Sequence, residues 1–204
     1  VAYPVGAKSK LTITHGVTEE GRGMSELIRR LQGEHDNFSR LLALLDAEIE
    51  TLERGENGNV RLMTDIMDYM AVYPDVAHHP LEDRIFTRLA QLDPGSHDLV
   101  DELIAEHERL RHMGKVFSDL VRSVVGGGIT SVDKLSTLGR EYVALTRAHS
   151  AREESDIFPR LIAVLSDEHW TELTAAAAAS EDPLFGGIVD RSYEEILAQI
   201  ERRR

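Results

Sequence analysis

The chain of 204 residues contains no cysteine. That excludes disulfides, thiolate metal sites and thiol catalysis, and it suits a reducing compartment. No apolar run approaches the roughly 18 residues of a membrane-spanning helix. The stretch over residues 1–23 also lacks the apolar centre of a signal peptide. A cytoplasmic protein is therefore expected. Positive charge is scarce: 23 Lys and Arg stand against 36 Asp and Glu, a net charge of −13. Nucleic acid and anionic membrane are not expected as partners. Arg202 to Arg204 read as a solvated end. Aromatics make up only 5%, and no β-type alternation of any length occurs.

What is present is helical. Gly, Pro and Asn clusters at 54–59 ("RGENGN"), 92–96 ("LDPGS"), 125–131 ("VGGGITS") and 181–187 ("EDPLFGG") punctuate the chain. They predict helices over 24–54, 60–92, 97–125 and 132–165, then a short one near 167–180 and a last one over 190–203. Residues 1–23 are expected to form an arm, and 166–204 a helical extension packed on the main domain. Long helices joined by short loops favour antiparallel neighbours. The expected fold is all-α: an up-down-up-down four-helix bundle with one or two additional C-terminal helices.

Seam spacing agrees. The first helix places Ile28, Leu31, His35, Phe38, Leu42, Leu45, Ile49 and Leu52 at steps of three and four. The third does so with Leu103, His107, Leu110, Gly114, Phe117 and Val121, and the fourth with Tyr142, Leu145, His149, Glu153, Ile157 and Leu161. In the second, Pro74 and Pro80 are expected to kink or bulge the helix, which interrupts the phase. His78 and Glu82 lie on one stripe with Ile85 and Leu89, whereas His79 and Asp83 lie on a rival stripe with Phe86. Either stripe carries a His and a carboxylate four residues apart.

A lone histidine on an apolar face is more often a bonded core residue than a ligand. Here one falls on each of four helices. Measured along antiparallel helices, His35, His78, His107 and His149 lie within roughly 9 Å of one level. Left unpaired in a core, each would cost about 1–3 kcal/mol, and a bare carboxylate more. A hydrogen-bonded network is one solution. A cation is another: imidazole and carboxylate suit Fe, Mn or Zn, and six groups exceed the four that one zinc needs. Two ions bridged by carboxylates follow.

His35 in "GEHDNF", His78 to Glu82 in "HHPLE", His107 in "AEHERLR" and His149 to Glu153 in "HSARE" resemble the hemerythrin-like (HHE cation-binding) family over about residues 24–165. The resemblance implies a non-haem diiron centre held by His35, His78, Glu82, His107, His149 and Glu153. It further implies bridging carboxylates and an open position for O₂ or NO. Zinc or manganese are possible substitutes. Classical oxygen carriers of the family have a second histidine where Arg111 stands, a departure from the five-histidine pattern. His79 and Asp83 compete with, or join, His78 and Glu82, and Glu154 is a rival to Glu153. The expected function is binding or sensing of O₂, NO or iron. Alternatives are an oxidoreductase acting on peroxide or nitric oxide or protecting iron centres, and a structural bundle with zinc or no metal. A homodimer is compatible.

Other residues have plainer readings. His15, His97, His112 and His169 are expected at the surface, and Met63, Met67 and Met70 in packing. Tyr69, Tyr73 and Tyr142 read as core, or as hydrogen-bond donors and redox-active phenols beside the site. Pro80 is expected to bend the second helix near the ligands.

Overall fold

The computed structural model describes residues 19–177, 182–187 and 191–202. Most of the expected arm, with His15, lies outside the described residues. All regular elements among those described are helical. Helix α1 (Glu19–Glu53) starts inside the expected arm. The second rod is α2 (Val60–Met70), a π turn (Pro74–His78) and α3 (His79–Leu92). The third is α4 (His97–Val125). The fourth is α5 (Val132–Arg152), a π turn (Glu153–Ile157) and α6 (Phe158–Val164). Two shorter helices follow, α7 (Asp167–Ala176) and α8 (Glu194–Arg202).

Local chemistry sets the ends. The Asn59 side chain accepts from the Leu62 amide at α2, and Ser131 accepts from that of Lys134 at α5. Such caps satisfy amides the first helical turn leaves unpaired. Ser166 and His169 cap α7 reciprocally. Ser96 precedes α4 without capping it; its hydroxyl bonds Asp93, which also accepts from the Gly95 amide. At the end of α4 the chain turns through Gly127, at φ +85°, a conformation that favours glycine.

The rods run antiparallel. Arg147 pairs with Asp46 and Arg140 with Glu53 between α5 and α1, while Arg111 pairs with Asp75 and Arg122 with Asp68 between α4 and the second rod. Their apolar faces form two cores. One gathers Phe38, Leu45, Ile49, Met63, Ile66, Phe117 and Val121; the other gathers Leu27, Leu31, Ile85, Phe86, Leu103, Leu161 and Trp170. Fully burying each such side chain is worth about 1.5–3 kcal/mol. In sequence, the layer between them comes from Glu34 and His35 on α1, His78 to Glu82 on the second rod, His107 on α4, and His149 to Glu153 on the fourth.

Three helices meet closely at Gly139, where a Cβ would lie 2.6 Å from Ile49 Cδ1 and 2.8 Å from Phe117 Cζ. A Gly139→Val variant is expected to lose about 1–3 kcal/mol of stability through overpacking. An unchanged thermal midpoint would show that the neighbours yield.

Both π turns precede a proline. The His79 amide donates to the Pro74 carbonyl, and the Phe158 amide to that of Glu153, each five residues back. Pro80 and Pro159 follow immediately. A proline ring crowds the carbonyl four residues back and offers no N–H; widening the preceding turn removes the crowding. The widened turn before Pro80 is a bulge, one of the two forms of interruption expected in this helix. Val72 and Val76 are exposed, while His78, His79 and Glu82 are all buried.

Candidate metal centre

The polar layer is tightly convergent. Ring centroids lie 5.0 Å apart for His35 and His78, 4.3 Å for His79 and His107, and 4.8 Å for His107 and His149. Glu82 and Glu153, on different rods, are fully buried among them. Glu82 Oε1 lies 3.2 Å from His78 Nε2 and 3.5 Å from His35 Nε2, whereas its Oε2 lies 3.5 Å from His107 Nε2. Glu153 repeats the division: Oε2 is 3.3 Å from His35 Nε2, and Oε1 is 3.2 Å from His149 Nε2 and 3.4 Å from His107 Nε2. Each carboxylate turns one oxygen to each group of imidazoles.

Every ring is oriented from behind. His35 Nδ1 meets Glu154 at 2.9 Å, His78 Nδ1 meets Glu34 at 2.6 Å, and His79 Nδ1 meets Asp75 at 3.2 Å. His107 Nδ1 meets Asp83 at 2.7 Å, and His149 Nδ1 meets Glu106 at 3.0 Å. A carboxylate can only accept, so each Nδ1 carries the hydrogen. In the neutral rings the Nε2 lone pairs then all face inwards, as in carboxylate–histidine–metal arrangements.

That leaves donors facing donors. His35 and His78 bring their Nε2 atoms to 3.2 Å of each other. Of six buried side-chain atoms without a hydrogen-bond partner among the described residues, four are here: Glu82 Oε1 and Oε2, His149 Nε2 and Glu153 Oε2. The contacts are close, yet many are not aligned as hydrogen bonds. Two donors each about 2.1 Å from one ion, at a right angle, would lie about 3.0 Å apart. Separations of 3.2–3.5 Å are near that edge length. The donor set fits cations rather than a closed hydrogen-bond network.

Two groups of buried donors can each hold an ion: His35, His78, Glu82 and Glu153, and His79, Glu82, His107 and His149. The structure brings together all six residues singled out in the sequence and adds His79. Adjacent helical residues diverge by about 100°, so His78 faces one group and His79 the other. Asp83 and Glu154 stand behind His107 and His35 and are not inward donors. Arg111 forms an ion pair with Asp75, the residue behind His79, and the fifth histidine comes from the second rod. His97 and His112 are exposed, as expected, and His169 is partly buried in its cap.

Charge follows from the geometry. Burial alone would lower the His35 pKa, but Glu153 and Glu82 beside it raise it to about 11. Burial likewise opposes Asp83 and Glu153 at His107, which they lift to about 10. His79, where burial dominates, is lowered. Burial would raise Glu34, yet His78 and Arg30 bring it down to about 2. Burial resists the charge on Glu153 too, and the imidazoles around it hold it well below the ordinary carboxylate range. Without a cation, the buried carboxylates favour protonated His35 and His107, and those imidazoles favour the ionised carboxylates.

Fold and site define a four-helix bundle built around a histidine and carboxylate cage for metal cations. The description "Hemerythrin HHE cation binding domain" matches residues 26–161, and the chain belongs to that family. No protein of curated function matches it. Among the described residues, no helix is long and apolar enough to cross a membrane.

Proposed function

We propose that the protein is a cytoplasmic diiron protein that binds or senses a small ligand, O₂ or NO, or iron itself. The observation carrying this is that Glu82 and Glu153 each divide their two oxygens between two groups of imidazoles. Iron held by imidazole and carboxylate supplies a reversible redox couple and an exchangeable position for such ligands. The protein's own residues supply the asymmetry. Two histidines serve one side and three the other, so the His35 and His78 side has fewer imidazole donors. A cavity of about 20 Å³ reaches His78, His79 and His149, with Phe38, Met70 and Leu110 among its apolar walls. A water needs about 10–15 Å³, so the space suits a ligand of very few atoms.

Metal analysis and a visible spectrum of unstripped protein test the reading. About two irons per chain, with an absorption band that changes reversibly with O₂ or NO, are expected; one zinc, or no metal, overturns it. A His79→Ala variant is expected to keep about one of two ions, since His79 serves one donor group only. Full occupancy in that variant would remove His79 from the centre. A second reading, redox turnover of peroxide or nitric oxide, is favoured by a hydrogen-bonded phenol close behind His78. Multiple turnovers by iron-loaded protein would select it.

A further inference from the structure

Glu34 is buried between a candidate ligand and a phenol. Its Oε2 meets His78 Nδ1 at 2.6 Å, while Oε1 accepts from the Tyr73 hydroxyl at 2.9 Å and from Arg30 Nε at 2.9 Å. The Tyr73 ring stacks on Tyr69, with centroids 5.5 Å apart and planes at 16°. The Tyr69 hydroxyl donates to Asp182 at 2.9 Å. Tyr69 also touches Tyr193, at 5.7 Å between centroids. Tyr69 and Tyr73 are buried, whereas Tyr193 is half-buried. Asp182 and Tyr193 lie beyond residues 26–161, outside the family domain. The apolar chemistry of a core accounts for the rings; it does not account for a carboxylate acceptor at each of the two buried hydroxyls.

We propose that Tyr73, Tyr69 and Tyr193 form a redox path that carries an oxidising equivalent from the dimetal centre to the C-terminal extension. This rests on the diiron reading. Hydrogen peroxide is the oxidant, and its reduction to two waters takes two electrons and two protons. Iron held by these residues would supply one electron, and Tyr73 supplies the other, leaving a neutral tyrosyl radical at Tyr73. The Tyr73 proton crosses the hydrogen bond to Glu34 and is held there, and solvent provides both protons that the two waters need. Tyr69 then reduces Tyr73: one electron crosses the stacked rings, the Tyr69 proton moves to Asp182, and the proton on Glu34 returns to Tyr73. Tyr193, next in contact, reduces Tyr69 in the same way at the molecule's edge, with the Tyr69 proton returning from Asp182 and that of Tyr193 passing to solvent. Burial and the nearby carboxylates raise the pKa of both buried phenols, so each holds its proton until oxidised.

The test treats reduced, iron-loaded protein with hydrogen peroxide, freezes it rapidly and reads the tyrosyl radical by electron paramagnetic resonance. Iron content and thermal midpoint are measured on the same samples. The parent is expected to give the radical, and Tyr73→Phe to lose it. Tyr69→Phe should strand a longer-lived radical on Tyr73, and Tyr142→Phe should match the parent. Two irons per chain with no radical, or an undiminished radical in Tyr73→Phe, overturn the path alone. Failure to take up two irons overturns the diiron reading and the path with it.

Discussion

Glu153→Gln is expected to empty the centre of most of its metal. The side chain keeps its volume and one carbonyl oxygen, but it no longer presents an anionic oxygen to each donor group. Glu153 Oε2 faces His35 while Oε1 faces His107 and His149, so both groups of donors lose a member in one substitution. Removing an outer hydrogen-bond partner of a metal ligand typically weakens binding about 10–100-fold. Loss of a donor shared by two ions should exceed that upper figure, and Glu82→Gln should behave alike. The expected ranking by metal per chain is parent, then His79→Ala near one ion, then either glutamine variant near none. Asp83→Asn, which alters only the support behind His107, should retain more metal than His107→Ala. Two ions in Glu153→Gln would show that this carboxylate is not a bridge.

The glutamine variants also separate metal from fold. A cation that binds only the folded chain adds about 4 kcal/mol at a thousandfold excess over its dissociation constant. Stripping the parent with a chelator should therefore lower its thermal midpoint, while the same chelator should barely move Glu153→Gln. The two apolar cores on either side of the layer remain intact in both, so helical content should persist.

The bundle was legible because its signals are local. Gly, Pro and Asn clusters mark the loops, and apolar steps of three and four mark the rods. The inward donors were legible because His35, His107, His149 and Glu153 occupy seam positions otherwise filled by Leu, Ile or Phe. His79 was harder. Phase along a regular helix forces a choice between the His78 stripe and the His79 stripe, and the π turn over Pro74–His78 lets both side chains face the interior. Pro159 bears the same relation to the second π turn, but its apolar neighbours give the sequence no sign of it. The carboxylates behind Nδ1 depend on register. Asp83, Glu106 and Glu154 meet their histidines only once neighbouring rods are aligned, and Asp75 meets His79 across the widened turn. Glu34 did leave a trace: it continues the stripe Leu27, Leu31, Phe38, Leu41, where a charged residue calls for a partner.

Metal uptake at neutral pH is expected to release about two protons per chain, with affinity falling about two orders of magnitude for each unit the pH drops. In the metal-free chain, against the pull of burial, neighbouring carboxylates lift His35 to about 11 and His107 to about 10. Both rings therefore hold a proton that a cation must displace. The stability of the metal-free fold has the opposite slope. These folded values lie above the ordinary 6.5, so the stabilisation from His35 and His107 is complete below about 6.5 and is lost as pH rises through 10 and 11. Glu34, brought from 4.5 to about 2, contributes above its unfolded value and loses that as pH falls towards 2. The metal-free chain should thus be most stable in mildly acid solution, and the gain from metal should widen as the pH rises from 6 to 8. Calorimetric titration in two buffers of different ionisation heat counts the protons, and melting with and without chelator follows the gap. Metal binding with no proton release would mean that the imidazoles are already neutral, and that the buried carboxylates keep their charge by some other means.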